Sequence, residues 1–311
     1  MEQIKHGAAT GPGGPSGNCL TAADRVRLAR SPQRPGAEEY IRTLFEEFFP
    51  MAGDRCGGED EAVLGGVALY HGMPVTVIAQ RKGRDLKERT RYRFGMPNPE
   101  GYRKAERLMK QAEKFGRPVI TFVDTPGAYP GREAEERGQG EAIARCLSTM
   151  CRLTVPTASV FIGEGGSGGA LAIGVTDILI MLENSIFSIL SPEGFASILW
   201  KDAGRWEEAA EVMKLTAENL KELAIADVVV PEPVDWTDGA AKAALYRRLD
   251  QAISEGLEPL FNLKGTVIAD RRYEKLRRIG AAGENTLFSG RKIAGMDKAS
   301  GRDSGAGDER K

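Results

Sequence analysis

Residues 159–174, SVFIGEGGSGGALAIG, carry six glycines out of an apolar run and into small residues able to open a helix. Three chemistries compete for them. Gly163, Gly165 and Gly168 fit the dinucleotide pattern G-x-G-x-x-G, whereas Gly165, Ser167 and Gly169 fit the nucleophile elbow G-x-S-x-G. The third uses no side chain: N–H groups at a helix N-terminus, left without intrahelical acceptors, converge on an oxygen as it gains negative charge.

Serine chemistry requires a base, and in the α/β-hydrolase order the histidine follows the serine. The two histidines, His6 and His71, both precede Ser167, and no lysine lies within the motif. His71 reads as a solvated turn residue. For the dinucleotide reading, Glu183 stands where a ribose-binding acid is expected. Residues 169–175 are, however, too few for the crossover between parallel strands, which takes about a dozen residues or more. Backbone chemistry fits the composition best, because glycine lets the main chain approach a ligand with no Cβ in the way. Ala170, Leu171 and Ala172 then let the helix start pack tightly. The bland alternative is that the glycines only permit close packing of helix on strand.

The elements around this segment follow from periodicity. Tyr40, Ile41, Leu44, Phe45 and Phe48 recur at helical spacing, and AVLGGVALYHGMPVTVIA reads as two strands about a His71-Gly72 turn. A helix is predicted from Pro99, with Tyr102, Ala105, Leu108, Met109, Ala112 and Phe115 on one stripe and Gly116 and Pro118 as its stop. PVITFVD is a buried-type strand, a helix follows over 133–150, then the strand TASVFI, the glycine loop and the strand ILIML. Beyond residue 194 the chain reads as mostly helical, with a short VVV strand at 228–230 and helices near 238–255 and 266–278. Strand, loop, helix and strand recur in order, which is an α/β pattern. A Gly/Pro/Ser-rich flexible lead is expected over 1–20, the folded domain over 21–282 and a polar flexible tail over 283–311.

Composition narrows the function classes. The 311 residues include 43 Lys and Arg against 44 Asp and Glu, a net charge of -1 that does not suit a nucleic-acid binder. Cys19, Cys56, Cys146 and Cys151 form no C-x-x-C pair, which argues against a zinc ribbon or a disulfide scaffold. No apolar run approaches the roughly 18 residues of a membrane span, and the N-terminus lacks the apolar core of a secretory leader. A cytoplasmic, unprocessed chain without a membrane anchor is expected.

Three other segments hold chemistry-bearing residues. DTPGAYPG, 124–131, follows a strand and is either a ligand loop or a Pro/Gly turn with Asp124 capping amides. SPEG, 191–194, either shapes the same cavity or starts a helix, with Ser191 as N-cap and Pro192 at the first position. Residues 81–93 carry seven basic side chains against Asp85 and Glu88, and read as a phosphate site for CoA, a partner contact or a solvated run.

Taken together, KGRDLKE, FGMPNPEGYRKAERLMKQAEKFGRPVITFVDTPGAYPG, AEERGQGEAIAR, GEGGSGGALAIGVTD and SPEGFASILWKD resemble the carboxyltransferase alpha subunits of bacterial-type acetyl-CoA carboxylase. The resemblance covers residues 21 to about 280. It implies the ClpP/crotonase-like fold of repeated ββα units with peripheral and C-terminal helices. It also implies transfer of a carboxyl group from carboxybiotin on a carrier protein to acetyl-CoA, giving malonyl-CoA for fatty acid synthesis. By position, Gly168 and Gly169 match the glycines whose amides hold the biotin ureido oxygen. The resemblance further implies that Gly127, Ala128, Tyr129, Gly165, Gly166 and Ser167 line the biotin site. The reactive groups are then those of carboxybiotin and acetyl-CoA, and no cofactor is held tightly by this chain. The implied partners are a zinc-ribbon beta subunit in an α2β2 assembly, the biotin carboxyl carrier protein and biotin carboxylase, with zinc only in the beta partner.

Departures accompany the resemblance. A Gly/Pro lead replaces an N-terminal helical extension, Arg132 and Glu133 replace a small pair, AQRKGR stands for GHQKGR, and RYRFGMP for RRNFGMP. These leave a divergent paralogue as the alternative, acting on another acyl-CoA or serving as a regulatory, catalytically impaired subunit.

Overall fold

The apolar run before the glycines becomes β5 (Thr157–Gly166), an inner strand all ten of whose residues are buried. In the computed structural model, residues 20–280 are described; His6, Cys19, and the lead and tail apart from Leu20 lie outside them. The strands are β1 (Glu46–Pro50), β2 (Val63–Tyr70), β3 (Met73–Gln80), β4 (Val119–Thr125), β5, β6 (Ile178–Leu182), β7 (Ile186–Ser188) and β8 (Val228–Val230). They form one sheet in the order β1-β2-β3-β4-β5-β6-β8, with β7 paired to β5. The first three strands are antiparallel neighbours, whereas β3, β4, β5, β6 and β8 run parallel, with Val77 opposite Ile120 and Phe122 opposite Val160. All their carboxyl ends therefore open on one edge.

The helices are α1 (Ala22–Ala29), α2 (Ala37–Leu44), α3 (Leu86–Arg91), α4 (Pro99–Lys114), α5 (Arg132–Glu136), α6 (Gln139–Arg152), α7 (Ser167–Gly174), α8 (Pro192–Trp200), α9 (Trp206–Met213), α10 (Ala217–Glu222), α11 (Gly239–Leu257) and α12 (Gly265–Arg278). Crossovers through α4, α6 and α7 bury their apolar sides in one core layer, among Leu108, Met109, Cys146, Met150, Phe161 and Ile173. The opposite sheet face packs on α2 and α11 through Tyr40, Phe122, Val160, Leu245, Leu249 and Ile253. A smaller core joins α1 to α9. No helix among the described residues is long and apolar enough to cross a membrane.

The α4 stripe buries Tyr102, Ala105, Leu108, Met109 and Ala112 as its spacing predicts. Phe115 departs from the stripe: it caps the helix, exposed, with the Arg117 guanidinium 5.2 Å from its ring centroid. Three further expectations are corrected. The helix read through Phe48 ends at Leu44, because residues from Glu46 pair with β2. The helix read over 133–150 is two, α5 and α6, divided where Gly138 takes φ 83°, a left-handed conformation costly for other residues. The glycine segment is less a loop than a strand: β5 continues to Gly166 because β7 supplies ladder partners to Glu164, Gly165 and Gly166.

At the far edge, α12 is fixed to the sheet by one buried guanidinium. Arg272 donates Nε and Nη2 to Asp177 at 3.0 and 2.7 Å, and its remaining N–H groups to the carbonyls of Met150, Leu153 and Val155 at 2.7–3.1 Å. All five donors are thereby satisfied. Arg272→Met removes one partner of a buried pair, for which losses are about 3–5 kcal/mol. Chemical denaturation should show a fall of that order, and a loss below about 1 kcal/mol would refute the pinning role.

Candidate active site at the start of a buried helix

At the carboxyl edge of the sheet, β5 turns into α7 within a single residue. That residue, Ser167, has φ 51°, a conformation costing roughly 1–2 kcal/mol outside glycine. The strand–turn–helix geometry of a nucleophile elbow is therefore present, but its base is not. His71 is the only histidine among the described residues; it occupies the β2–β3 turn, at the amino end of β3, and pairs with Asp250 at 2.9 Å. It thus lies at the opposite edge of the parallel sheet from Ser167. The crossover expected to be too short is in fact made, since α7 joins β5 to the parallel β6; the dinucleotide reading loses its acid instead, because Glu183 accepts from the Glu232 amide and pairs with Arg25.

What α7 offers is its backbone. No side chain caps its N-terminus, so the amides of its first turn have no intrahelical acceptor. Gly168 and Gly169 are the second and third residues of the helix. Gln80 donates Nε2 to the Gly169 carbonyl at 2.7 Å, fixing the peptide that follows. Below it, the Tyr102 hydroxyl and Gln80 Oε1 are buried without a hydrogen-bond partner.

The 126–128 loop lies directly against this turn. A Cβ on Gly166 would stand 2.1 Å from the Pro126 carbonyl oxygen, and one on Gly169 would stand 2.8 Å from the Ala128 nitrogen. Glycine is required at both positions by this approach. Gly168 is different, since its Cβ would meet only Ile143, at 3.4 Å. The loop itself is held by Thr125 Oγ1, which accepts from the Gly127 amide at 3.0 Å, and by the Tyr129 amide donating to Pro97 at 3.0 Å. Gly127, Ala128, Gly165, Gly166, Ser167, Gly168 and Gly169 are thus brought together. Tyr129 stands one step out, its ring below the Arg93 guanidinium at 5.9 Å.

Beside the turn is a small cleft lined by Arg30, Pro126, Glu164, Gly165, Gly166, Ser188, Ser191 and Pro192, among others. SPEG serves both of its readings. Ser191 Oγ accepts from the Gly194 amide at 3.1 Å as the α8 cap, and Ser191 and Pro192 form part of the cleft wall.

A charged cluster unseen in the sequence braces this edge. Lys82 donates to Asp124 at 3.1 Å and Glu164 at 2.5 Å, while Arg30 joins Glu164 to Glu193, each at 2.6 Å. Asp124 also accepts from the Glu164 amide at 3.0 Å, so it caps a neighbouring strand rather than its own turn. Burial pushes the Glu164 carboxyl up, but Lys82 and Arg30 outweigh it and hold the group below its ordinary range. Lys82 is likewise pushed down by burial and raised further by Asp124 and Glu164. Each partner comes from a different segment; Lys82, Asp124, Glu164 and Glu193 lie in stretches that stand out in the sequence, but nothing local signals their pairing or the part of Arg30. Arg132 and Glu133 are on α5 with exposed side chains, and Arg132, 90% exposed, pairs with Glu136.

Residues 17–280 match the family model described as acetyl co-enzyme A carboxylase carboxyltransferase-like. The acetyl-coenzyme A carboxylase carboxyl transferase subunit alpha of Geobacillus thermodenitrificans is 55% identical over 263 residues, covering 84% of this chain and 80% of the relative. That of Bacillus cereus is 54% identical over the same shares. Among solved structures, transcarboxylase 12S aligns with TM-score 0.59 at 17% identity, over 75% of this chain and 44% of its own. A Pseudomonas malonate decarboxylase hetero-tetramer aligns with TM-score 0.57 at 19% identity, over 71% and 89%. The fold is that of the crotonase-like carboxyltransferases.

The close approach at Gly166 gives a contrast between neighbouring glycines. Gly166→Ala must displace the 126–128 loop and should cost on the order of 1–3 kcal/mol, as overpacking does. Gly168→Ala should leave the melting temperature within a few degrees. Equal tolerance of both in thermal unfolding would contradict the packing described.

Proposed function

The chain belongs to the family of acetyl-CoA carboxylase carboxyltransferase alpha subunits, and from that premise we propose how its residues serve the transfer. The enzyme is a biotin-dependent carboxyltransferase of fatty acid synthesis, and the alpha chain works with a partner subunit. Its part in the reaction is to hold the biotin side. The amides of Gly168 and Gly169 donate to the ureido oxygen, which gains negative charge as the N–CO₂ bond breaks. The open, uncapped start of α7 is the observation that carries this reading. Donors fixed before the reaction need no reorganisation, and removing one such donor in other enzymes costs about 3–4 kcal/mol.

The remaining residues position that turn. Ser167, in its left-handed conformation, swings the helix so that its first amides lie at the strand end. Gln80 fixes the peptide that follows Gly169, and the 126–128 loop, with Gly127 and Ala128, forms one wall of the biotin site while Gly165 and Gly166 form its floor. Tyr129 borders it. The Lys82, Asp124, Glu164 and Arg30 cluster keeps β4, β5 and α8 in register around the cleft. Carboxybiotin, carried by a biotin carboxyl carrier protein, supplies the carboxyl group; acetyl-CoA accepts it on its methyl carbon, whose proton passes to the biotin anion left when the N–CO₂ bond breaks. The open donors and the side-chain-free approach at Gly168 fit such a planar, weakly basic oxygen.

The partner is a zinc-ribbon beta subunit that holds acetyl-CoA, assembled as α2β2 and joined by biotin carboxylase in the larger complex. Arg132 and Glu133 are exposed on α5, Arg132 pairs with Glu136, and neither lines the cleft beside α7, which supports a site left open by both. Mixed with a beta partner, the chain should convert malonyl-CoA and free biotin to acetyl-CoA. Arg132→Val with Glu133→Gly should alter kcat by no more than about twofold, as exposed substitutions do. A pair without turnover, or turnover gained only in the double variant, would contradict this reading.

A further inference from the structure

Residues 81–93 carry seven basic side chains in a chain whose total charge is -1, and the structure divides them into two groups. Four are engaged. Arg81 stacks on Tyr92 at 4.3 Å, Lys82 lies in the site cluster, Arg91 pairs with Glu61, and Arg93 pairs with Asp60 at 2.9 Å. Arg84, Lys87 and Arg89 have no carboxylate partner among the described residues.

The three unpaired cations sit on or beside α3, a helix with no buried residue. With them are two bare apolar side chains, Leu86 at 74% exposure and Phe94 at 47%. Arg93, Phe94 and Gly95 take positive φ in succession, 48°, 57° and 85°. That segment is strained, and no burial of Phe94 offsets the strain. Both ends of the strap meet the site: it leaves β3 next to Lys82, and returns at Gly95, where a Cβ would stand 3.2 Å from the Asp124 carbonyl oxygen.

We propose that this strap, residues 83–94, is the docking surface for the protein that carries biotin, contacted through an acidic face with apolar patches. The inference rests on the carboxyltransferase reading. Biotin reaches Gly168 and Gly169 only if its carrier settles beside the site edge, and the strap is a cationic surface continuous with that edge. Its cations are spread along the chain with Leu86 among them. Such a mixture of charge and bare apolar area suits a protein face, where opposite charge steers encounter and apolar contact retains it.

The test uses the chain assembled with its beta partner, wild type against Arg84→Glu/Lys87→Glu. Three quantities are measured: KM for a biotinylated carrier domain, KM for malonyl-CoA with free biotin, and direct binding of the carrier domain at low and high salt. The double variant should raise the carrier KM and weaken carrier binding about tenfold or more at low salt, with the difference shrinking as salt rises. Turnover with free biotin should stay within about twofold of wild type. Carrier binding equal in the two forms overturns the proposal. So does a raised KM for malonyl-CoA, which would assign the strap to CoA phosphates, or weakened assembly in sedimentation, which would assign it to the beta subunit. Failure of wild type with free biotin would strike the carboxyltransferase reading instead, while the binding comparison still decides the strap.

Discussion

A helix that starts without a capping side chain leaves amides in want of an acceptor, and the chain around α7 supplies none. This unmet donor capacity is the physical feature on which the rest of the site depends. A serine, aspartate or asparagine cap in the residue before α7 would have satisfied the turn internally. Gly166 occupies that place, and it is also where the Pro126 carbonyl approaches most closely. One residue type thus serves both the openness of the helix and the closeness of the loop.

Holding such a turn rigid falls to charge as well as to packing. Tyr102 of α4, Ile143 of α6 and the 126–128 loop press on α7 from the core side, and ion pairs brace the side of the carboxyl edge where the strands end. Lys82, Asp124, Glu164, Arg30 and Glu193 fill that role by linking β3, β4, β5, α1 and α8. Their mutual contacts stabilise the ionised forms: Glu164 and Glu193 are both held below the ordinary carboxylate range, by Lys82 and Arg30 in the first case and by Arg30 in the second, against the opposing effect of burial. Ser167 adds backbone strain at the same point, and the bracing by the neighbouring segments is what keeps it in place.

Local signals in the sequence reached as far as local physics reaches. The α4 stripe, the His71-Gly72 hairpin and the Ser191 cap each arise from spacing or from residues within one turn, and each is found where its signal lies. Phe48 misled because an aromatic residue at helical spacing also suits an edge strand, and the pairing of β1 with β2 decided the matter. The continuation of β5 through Gly166 had no local signal, since its ladder partner, β7, comes some twenty residues later. The ionic cluster was hidden for the same reason: Arg30 and Glu193 are 163 positions apart. Of the glycines, the need for Gly138 is a matter of φ and the need for Gly166 a matter of tertiary approach, a distinction composition alone does not make.

The central claim concerns two N–H groups and is tested by removing them without touching any side chain. Replacing the Gly168 or Gly169 amide by an ester, in the chain assembled with its beta partner, deletes one donor and preserves the fold. The account predicts a fall in kcat of about 10²–10³ for each ester with malonyl-CoA and free biotin, and little change in the KM for malonyl-CoA. Wild-type kcat in a folded, assembled ester variant of either residue would contradict it.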